Sequence, residues 1–530
     1  MTRAFLNVER SASGKRWEPR LTDTRLAEAI AQRHDLPDIL GRVLAARGVG
    51  LEEAEGFLNP TLRGLMPQPS AFRDMEQGAA RFAEAVMGSE KIGVIGDYDV
   101  DGVSSSAMLQ LFLRSVGRDC TIHIPDRLTE GYGPSAQAVA ALKDQGTELL
   151  VTLDCGVMAH DPLARAAELG MTTIIVDHHQ ASAALPQAFA VINPNRQDDV
   201  SGQGHLCAAG VTMIFIAAVN RRLRQLGFYG EARPEPNMLQ WLELVALATV
   251  CDVVPLKGLN RAYVTQGLKI MARRENPGLS ALADIARLKR KPDPYALGFL
   301  LGPRINAAGR VGNAGLALEL LTTRDRGRAS QLAQELEKLN RERQAIELAV
   351  VDQAAAQAEA MLGQERLAPV LVVARKGWHP GVVGLAAARL KERFNRPAFV
   401  LAEDRDGRLA AGSGRSIAGV DLGATVRAAL EQGIIVKGGG HGMAAGLTLE
   451  VARLGDFRAF LTERLAEDVA RCASPALAID AAVSAGGASL DLIELLEQAG
   501  PFGSGNPAPV FAFPAHRVVY ADAAGTDHIR

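Results

Sequence analysis

Three short apolar runs, each followed directly by an acidic residue, constrain the fold of this sequence more than any other feature. The runs IGVIG, LLVTL and TTIIV lead into Asp97, Asp154 and Asp177. Patterns typical of amphipathic helices separate the runs, and a further apolar run, CTIHIP, lies between the first two. Strands and helices that alternate in this way predict an α/β fold built on a parallel sheet.

The polar residues that follow these runs are predicted to meet at one place. In a doubly wound α/β sheet, ligands bind in the crevice at the carboxyl ends of neighbouring strands. The residues expected at that crevice are Asp97, Asp99, Asp101, Asp154, Asp177, His178, His179 and, after the further apolar run WLELVALATV, Asp252.

This set of side chains predicts a metal site. Several carboxylates in one crevice repel one another, and either protonation or metal binding relieves the repulsion. Carboxylates with one or two imidazoles suit Mn²⁺ or Mg²⁺ better than a structural zinc ion. Two such ions, about 3.5–4 Å apart, can hydrolyse a phosphoryl substrate. Taken alone, a D-x-D after a strand is more often a turn or a helix cap, and a His-His pair is more often structural, but the combination favours the metal site.

The motifs resemble those of a known family. GDYDVDG, TLDCG, VDHH and ATVCDVVPL follow one another in the order found in the DHH phosphoesterases. The chain is further similar to the branch of that family that degrades single-stranded DNA from the 5′ end. The segments that carry this closer resemblance are RGVGLEEAEGFLNP, HLCAAGV, GPRINAAGR, GWHPGVVGLAAARL, GSGRSIAGVDL and GGGHGMAAG, so that it covers about residues 40–515.

The resemblance implies a role for each residue of the crevice. It makes Asp154 the carboxylate that bridges two metal ions and assigns His179 to the scissile phosphate or to a water molecule, although His179 could equally orient other groups. Asp97 and Asp177 are expected to orient ligands and water, Asp97 as part of the catalytic set with Asp154, His178 and His179. The metal ligands implied are Asp99, Asp101, Asp154, His178 and Asp252.

A second α/β unit, beginning with APVLVVAR, resembles the DHH-associated domain, in which a G-G-H-x-x-A-A-G motif holds the nucleotide substrate. A single arginine is usually a solvated surface charge, but the matched motifs favour Arg304 and Arg415 as phosphate contacts, and Arg310 less strongly. His379 either contacts the substrate or caps the helix that follows. The expected substrate-binding residues are Arg304, Asn306, Arg310, His379, Ser413, Arg415, Gly439, Gly440 and His441.

Five segments are expected along the chain. The segment AGPFGSGNPAPVFAFPAHRVVYADAAGTDHIR resembles the beginning of the oligonucleotide-binding barrel found in this family. Such a barrel needs about five strands and the residues from 476 onward supply about three, so a partial barrel is expected. The segments are a helical lead-in (1–75), a DHH domain (76–327), a connecting helix (328–362) with one apolar stripe, a DHH-associated domain (363–468) and an incomplete oligonucleotide-binding region (469–530).

Composition narrows the setting. The net charge is −2, so contacts with a polyanion must be local. Five scattered cysteines without a C-x-x-C pair indicate reduced thiols, not a disulfide framework or a zinc site. The N-terminus lacks an apolar signal segment, and no apolar run is long enough to span a membrane. A cytoplasmic protein without a membrane partner is therefore expected.

The function implied is a single-stranded-DNA-specific 5′-to-3′ exonuclease of DNA repair and recombination, which releases 5′-mononucleotides by two-metal-ion hydrolysis. We expect a monomer that acts on single-stranded DNA, with a single-strand-binding protein and a helicase as candidate partners. One alternative is a phosphoesterase of the same family that acts on short oligonucleotides or small phosphate substrates. Another is a non-catalytic replication or repair scaffold, but such a protein would not need the metal ligands.

Overall fold

The computed structural model describes residues 3–127, 129–364, 368–472, 476–517, 519–524 and 528–529. The chain folds into two compact units: residues 65–473 form the larger unit, and residues 1–64 with 474–530 form the smaller one. Within the ranges described, no helix is long and apolar enough to cross a membrane.

The amino-terminal segment contains one strand in addition to the predicted helices. The strand is β1 (Arg16–Pro19), and its four residues end in proline, which gives no recognisable strand pattern in the sequence. Apolar side chains of the first two helices pack together, with Ile30 and Leu44 fully buried. The helices are α1 (Arg25–Arg33), α2 (Asp38–Ala45), α3 (Ala54–Leu58) and α4 (Leu62–Leu65).

A five-stranded parallel sheet lies at the centre of the DHH part of the larger unit and confirms the predicted α/β fold. Its strands are β2 (Ile92–Gly96), β3 (Cys120–His123), β4 (Leu149–Leu153), β5 (Thr172–Val176) and β6 (Ala190–Ile192). The helices of this part are α5 (Met75–Gly88), α6 (Val100–Ser115), α7 (Ala136–Asp144), α8 (His160–Glu168), α9 (Ala208–Gln225), α10 (Leu242–Cys251), α11 (Gly258–Met271), α12 (Pro277–Ile285), α13 (Gly302–Val311) and α14 (Gly315–Thr322).

The order of the strands places a crevice between β2 and β4. Along the sheet the order is β3-β2-β4-β5-β6, and every neighbouring pair is parallel. The chain moves from β2 to one side and later returns to the other side, which makes the gap between β2 and β4 the switch point of a doubly wound sheet. Every residue of β2 and β4 is buried, which explains why their sequences are continuously apolar.

One long helix leads from this part to the second sheet. The helix, α15, spans Arg326–Gln364, close to the predicted 328–362. Leu332 and Leu336 of its predicted apolar stripe are buried in the first half, and Val350 is buried in the second half. The first half packs on α12, α13 and α14, and the second half packs on the strand and helix that follow it.

The second sheet is mixed. It has the order β10-β11-β9-β8-β7, in which only β7 and β8 are parallel. Its elements are β7 (Leu371–Lys376), α16 (Val383–Phe394), β8 (Ala398–Glu403), β9 (Leu409–Arg415), α17 (Leu422–Glu431), β10 (Lys437–His441), β11 (Ala444–Glu450) and α18 (Leu454–Cys472).

The carboxyl-terminal segment shares a core with the amino-terminal helices in the smaller unit. Leu496 is buried against Leu40 and its neighbours, and Asp480 forms ion pairs with Arg20 and Arg47. Among the described residues the strands of this segment pair two by two: β12 with β1, β13 with β14, and β15 with β16. The elements are β12 (Ala476–Ile479), β13 (Ala481–Ala482), α19 (Leu490–Glu497), β14 (Phe511–Ala512), β15 (Ala523–Ala524) and β16 (His528–Ile529).

Candidate active site

The acidic residues predicted from the sequence lie together at the switch point of the parallel sheet. Asp97 follows the last residue of β2, Asp154 follows β4, and Asp177 follows β5. Asp252 reaches the same place from the end of a helix, α10, because its apolar run is helical. The carboxyl ends of three strands and the end of one helix therefore supply one site.

Three overlapping groups of side chains could each hold a metal ion. Within each group, one ligand atom from each residue lies within 4.8 Å of the others. Asp154 and His178 each belong to two groups, so both can contribute to neighbouring ion positions. The groups are Asp101 with His178 and Asp252, Asp97 with Asp99 and Asp154, and Asp154 with His178 and His179.

His178 presents one ring nitrogen to the carboxylates. Its Nε2 lies 3.2 Å from Oδ1 of Asp154 and 3.8 Å from carboxylate oxygens of both Asp101 and Asp252. Its Nδ1 lies 3.1 Å from the carbonyl oxygen of Leu206. Because that carbonyl can only accept, Nδ1 carries the proton, and in the neutral ring Nε2 keeps its lone pair. A lone pair that faces three carboxylates is the arrangement of a metal ligand.

Two helix N-termini hold the carboxylates of the first motif. Asp99 caps α6, since its side chain accepts hydrogen bonds from the backbone N–H groups of Asp101 at 2.8 Å and Gly102 at 3.2 Å. The carboxylate of Asp101 accepts bonds of 2.7 Å from the backbone N–H groups of Ala208 and Ala209 at the start of α9. These bonds and the helix dipoles favour negative charge at the site and fix the carboxylates in place.

Burial and mutual repulsion make the carboxylates of the site suited to binding a divalent cation. Burial raises the pKa values of the Asp97, Asp101, Asp154 and Asp252 carboxyl groups, and the charges of neighbouring carboxylates add to this effect. Oδ1 of Asp97 and Oδ1 of Asp154 are buried and have no hydrogen-bond partner among the described residues. Buried oxygens without partners are costly, and a bound cation would satisfy them.

Asp177 differs from the other acids because it is fully engaged by the protein. Its carboxylate accepts hydrogen bonds from the backbone N–H groups of Val157, His178 and His179, and it lies 2.8 Å from Nδ1 of His179. Burial would raise the pKa of Asp177, but the hydrogen bond and charge of His179 outweigh it and lower that pKa to about 2. Asp177 therefore orients His179. Asp97, whose Oδ1 has no hydrogen-bond partner among the described residues, belongs instead to a group of potential metal ligands with Asp99 and Asp154.

Arginines form a second feature beside the acids. Burial lowers the pKa of Arg310 to about 10, and the nearby positive charge of Arg127 lowers it further; burial and Arg127 also lower the pKa of Arg415. None of these three guanidinium groups has a carboxylate within 4.0 Å among the residues described. A hypothetical Cβ on Gly384 would lie 3.1 Å from Nη2 of Arg415 and 3.3 Å from Oγ of Ser413, so both side chains lie over the start of α16. The cluster is suited to an anion.

Comparison with known proteins agrees with this geometry. Models of three domains match the chain in order: the DHH family N-terminal domain at residues 91–249, the DHHA1 domain at 367–467 and the RecJ OB domain at 479–530. The single-stranded-DNA-specific exonuclease RecJ of Salmonella typhimurium is 37% identical over 501 residues, which is 90% of this chain and 83% of that protein. The chain belongs to the RecJ family.

Further RecJ proteins match over most of the chain. The single-stranded-DNA-specific exonuclease RecJ of Escherichia coli is 36% identical and covers 90% of this chain and 83% of its own length. The crystal structure of RecJ in complex with Mn²⁺ from Thermus thermophilus superposes with a TM-score of 0.77 at 29% identity, over 93% of this chain and 68% of that one. A crystal structure of exonuclease RecJ bound to manganese superposes with a TM-score of 0.62 at 32% identity, over 76% of this chain and 97% of that one.

Helix α13, which carries the GPRINAAGR motif, joins the acids to the second domain. Oδ1 of Asn306 accepts a hydrogen bond of 3.1 Å from the backbone N–H of Val100, beside Asp99. Nη1 of Arg310 donates to the carbonyl oxygen of Gly381 at 2.9 Å, in the loop before α16. Asn306 and Arg310 thus lie on the face of α13 that contacts the site.

The structure does not bring Arg304 to the acids. Its guanidinium lies 2.7 Å from a carboxylate oxygen of Glu337 on α15 and donates to the carbonyl oxygen of Leu300 at 2.6 Å. Two residues along an α-helix correspond to about 200°, so Arg304 and Asn306 lie on opposite faces of α13. The sequence motif favoured Arg304 over Arg310 as a phosphate contact. In the helix it is Arg310 that shares the face of Asn306 toward the site.

The remaining residues of the second domain lie near Arg415. Nδ1 of His379 accepts a hydrogen bond of 3.0 Å from the backbone N–H of Gly381, so this ring caps the turn before α16. Burial lowers the pKa of His379. A Cβ on Gly381 would meet both the His379 ring and the carbonyl oxygen of Arg310, so this histidine lies close to the backbone of Arg310.

The glycine-rich motif forms an edge hairpin of β10 and β11, not an open loop. His441 pairs with Ala444, and Ala444 pairs with Arg415 in β9, so His441 and Arg415 share one row of the sheet about 10 Å apart. Glycines allow β10 to approach α17, since a Cβ on Gly423 would lie 2.7 Å from the carbonyl oxygen of Gly440. Gly439 lies in the same edge strand and pairs with β11.

Two residues of the site were missed by the sequence analysis. The hydroxyl of Tyr132 donates to the carbonyl oxygen of Asp154 at 2.9 Å and lies 3.2 Å from Nδ1 of His179. The guanidinium of Arg127 lies 5.3 Å from the centre of the Tyr98 ring, next to the first acidic motif. Both lie in PDRLTEGYG, a loop that follows the β3 run, and that position at a strand end is the one signal that could have indicated them.

Proposed function

We propose that this chain is a metal-dependent exonuclease that hydrolyses single-stranded DNA from its 5′ end and releases 5′-mononucleotides. One observation carries the proposal: three overlapping groups of potential metal ligands share the switch point of the sheet, next to three arginines without carboxylate partners among the described residues. The Salmonella and Escherichia coli relatives, which are single-stranded-DNA-specific exonucleases, support the same activity.

Mn²⁺ or Mg²⁺ suits the ligands of the site, and the relatives of known structure bind these ions. When bound, two such ions stabilise the charge that develops on the scissile phosphate and activate water for attack. The residues that would hold one ion are Asp101, His178 and Asp252, and those that would hold the other are Asp97, Asp99 and Asp154.

The protein itself positions the groups around the reacting phosphate. Asp177 holds the ring of His179 through a contact of 2.8 Å to Nδ1. That partnership outweighs the effect of burial and raises the pKa of His179 to about 9. A cationic imidazole can bind a phosphate oxygen or donate a proton to the departing O3′. Tyr132 fixes the backbone carbonyl of Asp154 and thereby the position of its carboxylate.

The arginine cluster supplies the anchor for the 5′-terminal phosphate. Arg127, Arg310 and Arg415 can bind phosphate oxygens with Ser413, and guanidinium groups bind such oxygens in bidentate fashion. His379, Asn306 and the hairpin residues Gly439, Gly440 and His441 complete this side of the substrate site. A fixed distance between the anchor and the acids allows only the first internucleotide bond to reach the acids. Cleavage of its P–O3′ bond releases one 5′-mononucleotide and leaves a new 5′-phosphate.

The segments of the chain divide this work. Residues 76–327 hold the acids together with Arg127 and Arg310 of the anchor, residues 363–468 hold Arg415 and Ser413, and the helix at 328–362 fixes the distance between the two parts. We expect the enzyme to act as a monomer in the cytoplasm during DNA repair and recombination, with a helicase that opens duplex DNA and a single-strand-binding protein that covers the product.

The test is a time course on single-stranded DNA that is labelled separately at the 5′ and 3′ ends, with Mn²⁺, Mg²⁺ or EDTA. Immediate release of a labelled mononucleotide from the 5′ end only, blocked by EDTA and by Asp154→Ala, is the expected result. Hydrolysis confined to oligonucleotides of two to five residues would indicate the short-substrate phosphoesterase instead. Stoichiometric binding of Mn²⁺ without turnover of any substrate would indicate a scaffold.

A further inference from the structure

A pocket of about 770 Å³ opens beside the acids, between α13, α15 and α16. Its volume is within the range of pockets that enclose small organic ligands, about 300–1,000 Å³. Cys251, the residue before Asp252, and Asn306, which contacts the loop of Asp99, line its inner end. Phe299 and Leu348 line its outer end and are 68% and 63% exposed. The pocket therefore leads from the acids to solvent.

An aromatic pair stands at the outer end. The rings of Tyr295 and Phe299 are stacked, with centroids 5.0 Å apart and planes 25° from parallel. Tyr295 is 55% exposed, so a large part of this pair is accessible to solvent. Two stacked, exposed aromatic rings at the mouth of a pocket are a recurrent device for binding a flat, apolar ligand surface.

The aromatic pair lies at a π-helical turn of the backbone. Residues Ala296–Leu301 form a π-helical turn that runs directly into α13. Such turns are rare, and they are frequent at functional sites. This turn packs against the helix that delivers Asp252: Sγ of Cys251 donates to the carbonyl oxygen of Leu297 at 3.5 Å, and a Cβ on Gly298 would lie 3.3 Å from Val250. The aromatic pair is thus held in a fixed position relative to the acids.

The charge of the pocket indicates what it binds. Arg310, Arg343 and Arg389 line it together with one carboxylate, that of Glu347. Glu347 pairs with Arg343 and lies 3.7 Å from Arg389, whereas Arg310 has no carboxylate within 4.0 Å among the described residues. An excess of guanidinium groups favours a ligand with phosphates, and the aromatic pair favours a ligand with flat rings. A single strand of DNA has both, in alternation, and its scissile phosphate must already lie at the inner end of this pocket.

We propose that Tyr295 and Phe299 form a stacking platform for a base of the retained strand, on the 3′ side of the scissile phosphate. The proposal rests on the exonuclease function above. Only one nucleotide lies on the 5′ side of the bond that is cut, and the arginine anchor and the acids enclose it. The outer end of the pocket is therefore left for the strand that continues in the 3′ direction.

The first measurement is the affinity for a 5′-phosphorylated 20-nucleotide strand in EDTA, which prevents hydrolysis, by fluorescence anisotropy. We expect the double variant Tyr295→Ala/Phe299→Ala to bind about 5- to 150-fold more weakly, which is the range that loss of one base stack produces. The salt dependence of binding should keep its slope, because no phosphate contact is removed. Phe299→Trp should restore affinity. Phe189→Ala is the matched control. Phe189 is also an exposed aromatic residue, at 48%, but it precedes the edge strand β6 and is not among the residues that line the pocket.

The second measurement places 2-aminopurine at successive positions from the 5′ end of the strand. Stacking on the platform quenches its fluorescence at the second nucleotide or beyond, and the quenching disappears in the double variant. Unchanged affinity in the double variant, an equal loss in Phe189→Ala, or quenching at the first nucleotide alone would overturn the proposal. The exonuclease function is judged separately: a wild-type protein that releases no nucleotide with Mn²⁺ fails that function, whatever the platform variants do.

Discussion

Nε2 of His178 lies 3.2 Å from Oδ1 of Asp154, although the two residues follow different strands of the sheet. Both atoms are acceptors when the imidazole is neutral, because the proton of His178 lies on Nδ1, toward Leu206. Two acceptors at this distance repel each other unless a cation or a proton lies between them. The contact therefore joins the two groups of potential ligands into one centre.

Replacing Asp154 tests this centre. Asp154→Asn is expected to lower the rate on single-stranded DNA by at least about a thousandfold, because metal stabilisation of the reacting phosphate amounts to several kcal/mol at about 1.36 kcal/mol per tenfold. In EDTA the variant should melt at a higher temperature than the wild type, since it lacks a buried carboxylate whose pKa is raised. Mn²⁺ should stabilise the wild type more than the variant. Asp352→Asn, an exposed acid on α15, is the control and should change none of these values.

Substitutions of two arginines of α13 separate substrate binding from stability. Arg310→Gln should raise the KM for a 5′-phosphorylated strand about 10- to 100-fold and remove the preference for a 5′-phosphate over a 5′-hydroxyl, because charge-assisted hydrogen bonds contribute about 1.5–3 kcal/mol. Arg304→Gln should leave KM unchanged but lower the free energy of unfolding by about 1–3 kcal/mol, through loss of its pair with Glu337. The opposite pattern in the two variants would return Arg304 to the substrate site.

Tyr132 is expected to act through Asp154. The backbone of Asp154 has a φ of 61°, which is uncommon for a residue other than glycine, and the Tyr132 hydroxyl bonds its carbonyl oxygen. Tyr132→Phe should weaken Mn²⁺ binding about 10- to 100-fold, as loss of a group that orients a ligand does elsewhere. Calorimetric titration with Mn²⁺ measures this effect, and saturating Mn²⁺ should restore most of the activity. A loss of activity that saturating Mn²⁺ does not restore would point to direct contact with the substrate.

Glu243 predicts a pH dependence of stability. This residue of α10 is 4% exposed, and burial, helped by the charge of Glu275, raises its pKa to about 8. The native state therefore keeps a proton that the unfolded state loses above its ordinary pKa of 4.5. Stability due to this group is complete below pH 4.5, falls as pH rises, and is lost above about pH 8.

The corresponding variant is Glu243→Gln, which removes this titration. Urea unfolding at pH 5 and pH 9 should show a smaller decrease in stability than in the wild type, by up to several kcal/mol at about 1.4 kcal/mol per pKa unit. Glu231→Gln, at an exposed position, should retain the wild-type decrease. Equal pH profiles for wild type and Glu243→Gln would mean that Glu243 reaches solvent.

Gly309 couples α13 to the first acidic motif. A Cβ at this position would lie 2.7 Å from the carbonyl oxygen of Tyr98, whereas a Cβ on Gly455 in α18 would have no heavy atom within 4 Å. Gly309→Ala should destabilise the protein by about 1–3 kcal/mol and lower the activity, because the acid loop must shift. Gly455→Ala should stabilise it by about 0.5–1 kcal/mol. Chemical denaturation of both variants measures the difference.

The sequence was sufficient for the parallel sheet and for bringing most of the candidate metal ligands to one end of it. Continuous apolar runs that end in acids are local patterns, and the topology of a doubly wound sheet brings strand ends together wherever the runs lie along the chain. For this reason Asp97, Asp101, Asp154 and His178 could be placed before any coordinates. The sequence also predicted Asp252 at this site, although its apolar run forms a helix. The end of that helix delivers an acid to the site just as the end of a strand does.

Only the tertiary structure decided which polar side chains face the site. Arg304 and Arg310 lie in one motif, but Arg304 lies on the face of α13 that contacts α15 and therefore does not face the acids. The sequence around Arg127 and Tyr132 has no periodic pattern of apolar residues from which the direction of a side chain could be predicted. Their contacts with Tyr98 and Asp154 were therefore not predictable. The pairing of β1 with β12 joins residues that lie near opposite ends of the chain. Local sequence encodes periodicity and turns, whereas the facing of a helix and the pairing of distant strands depend on packing across the whole fold.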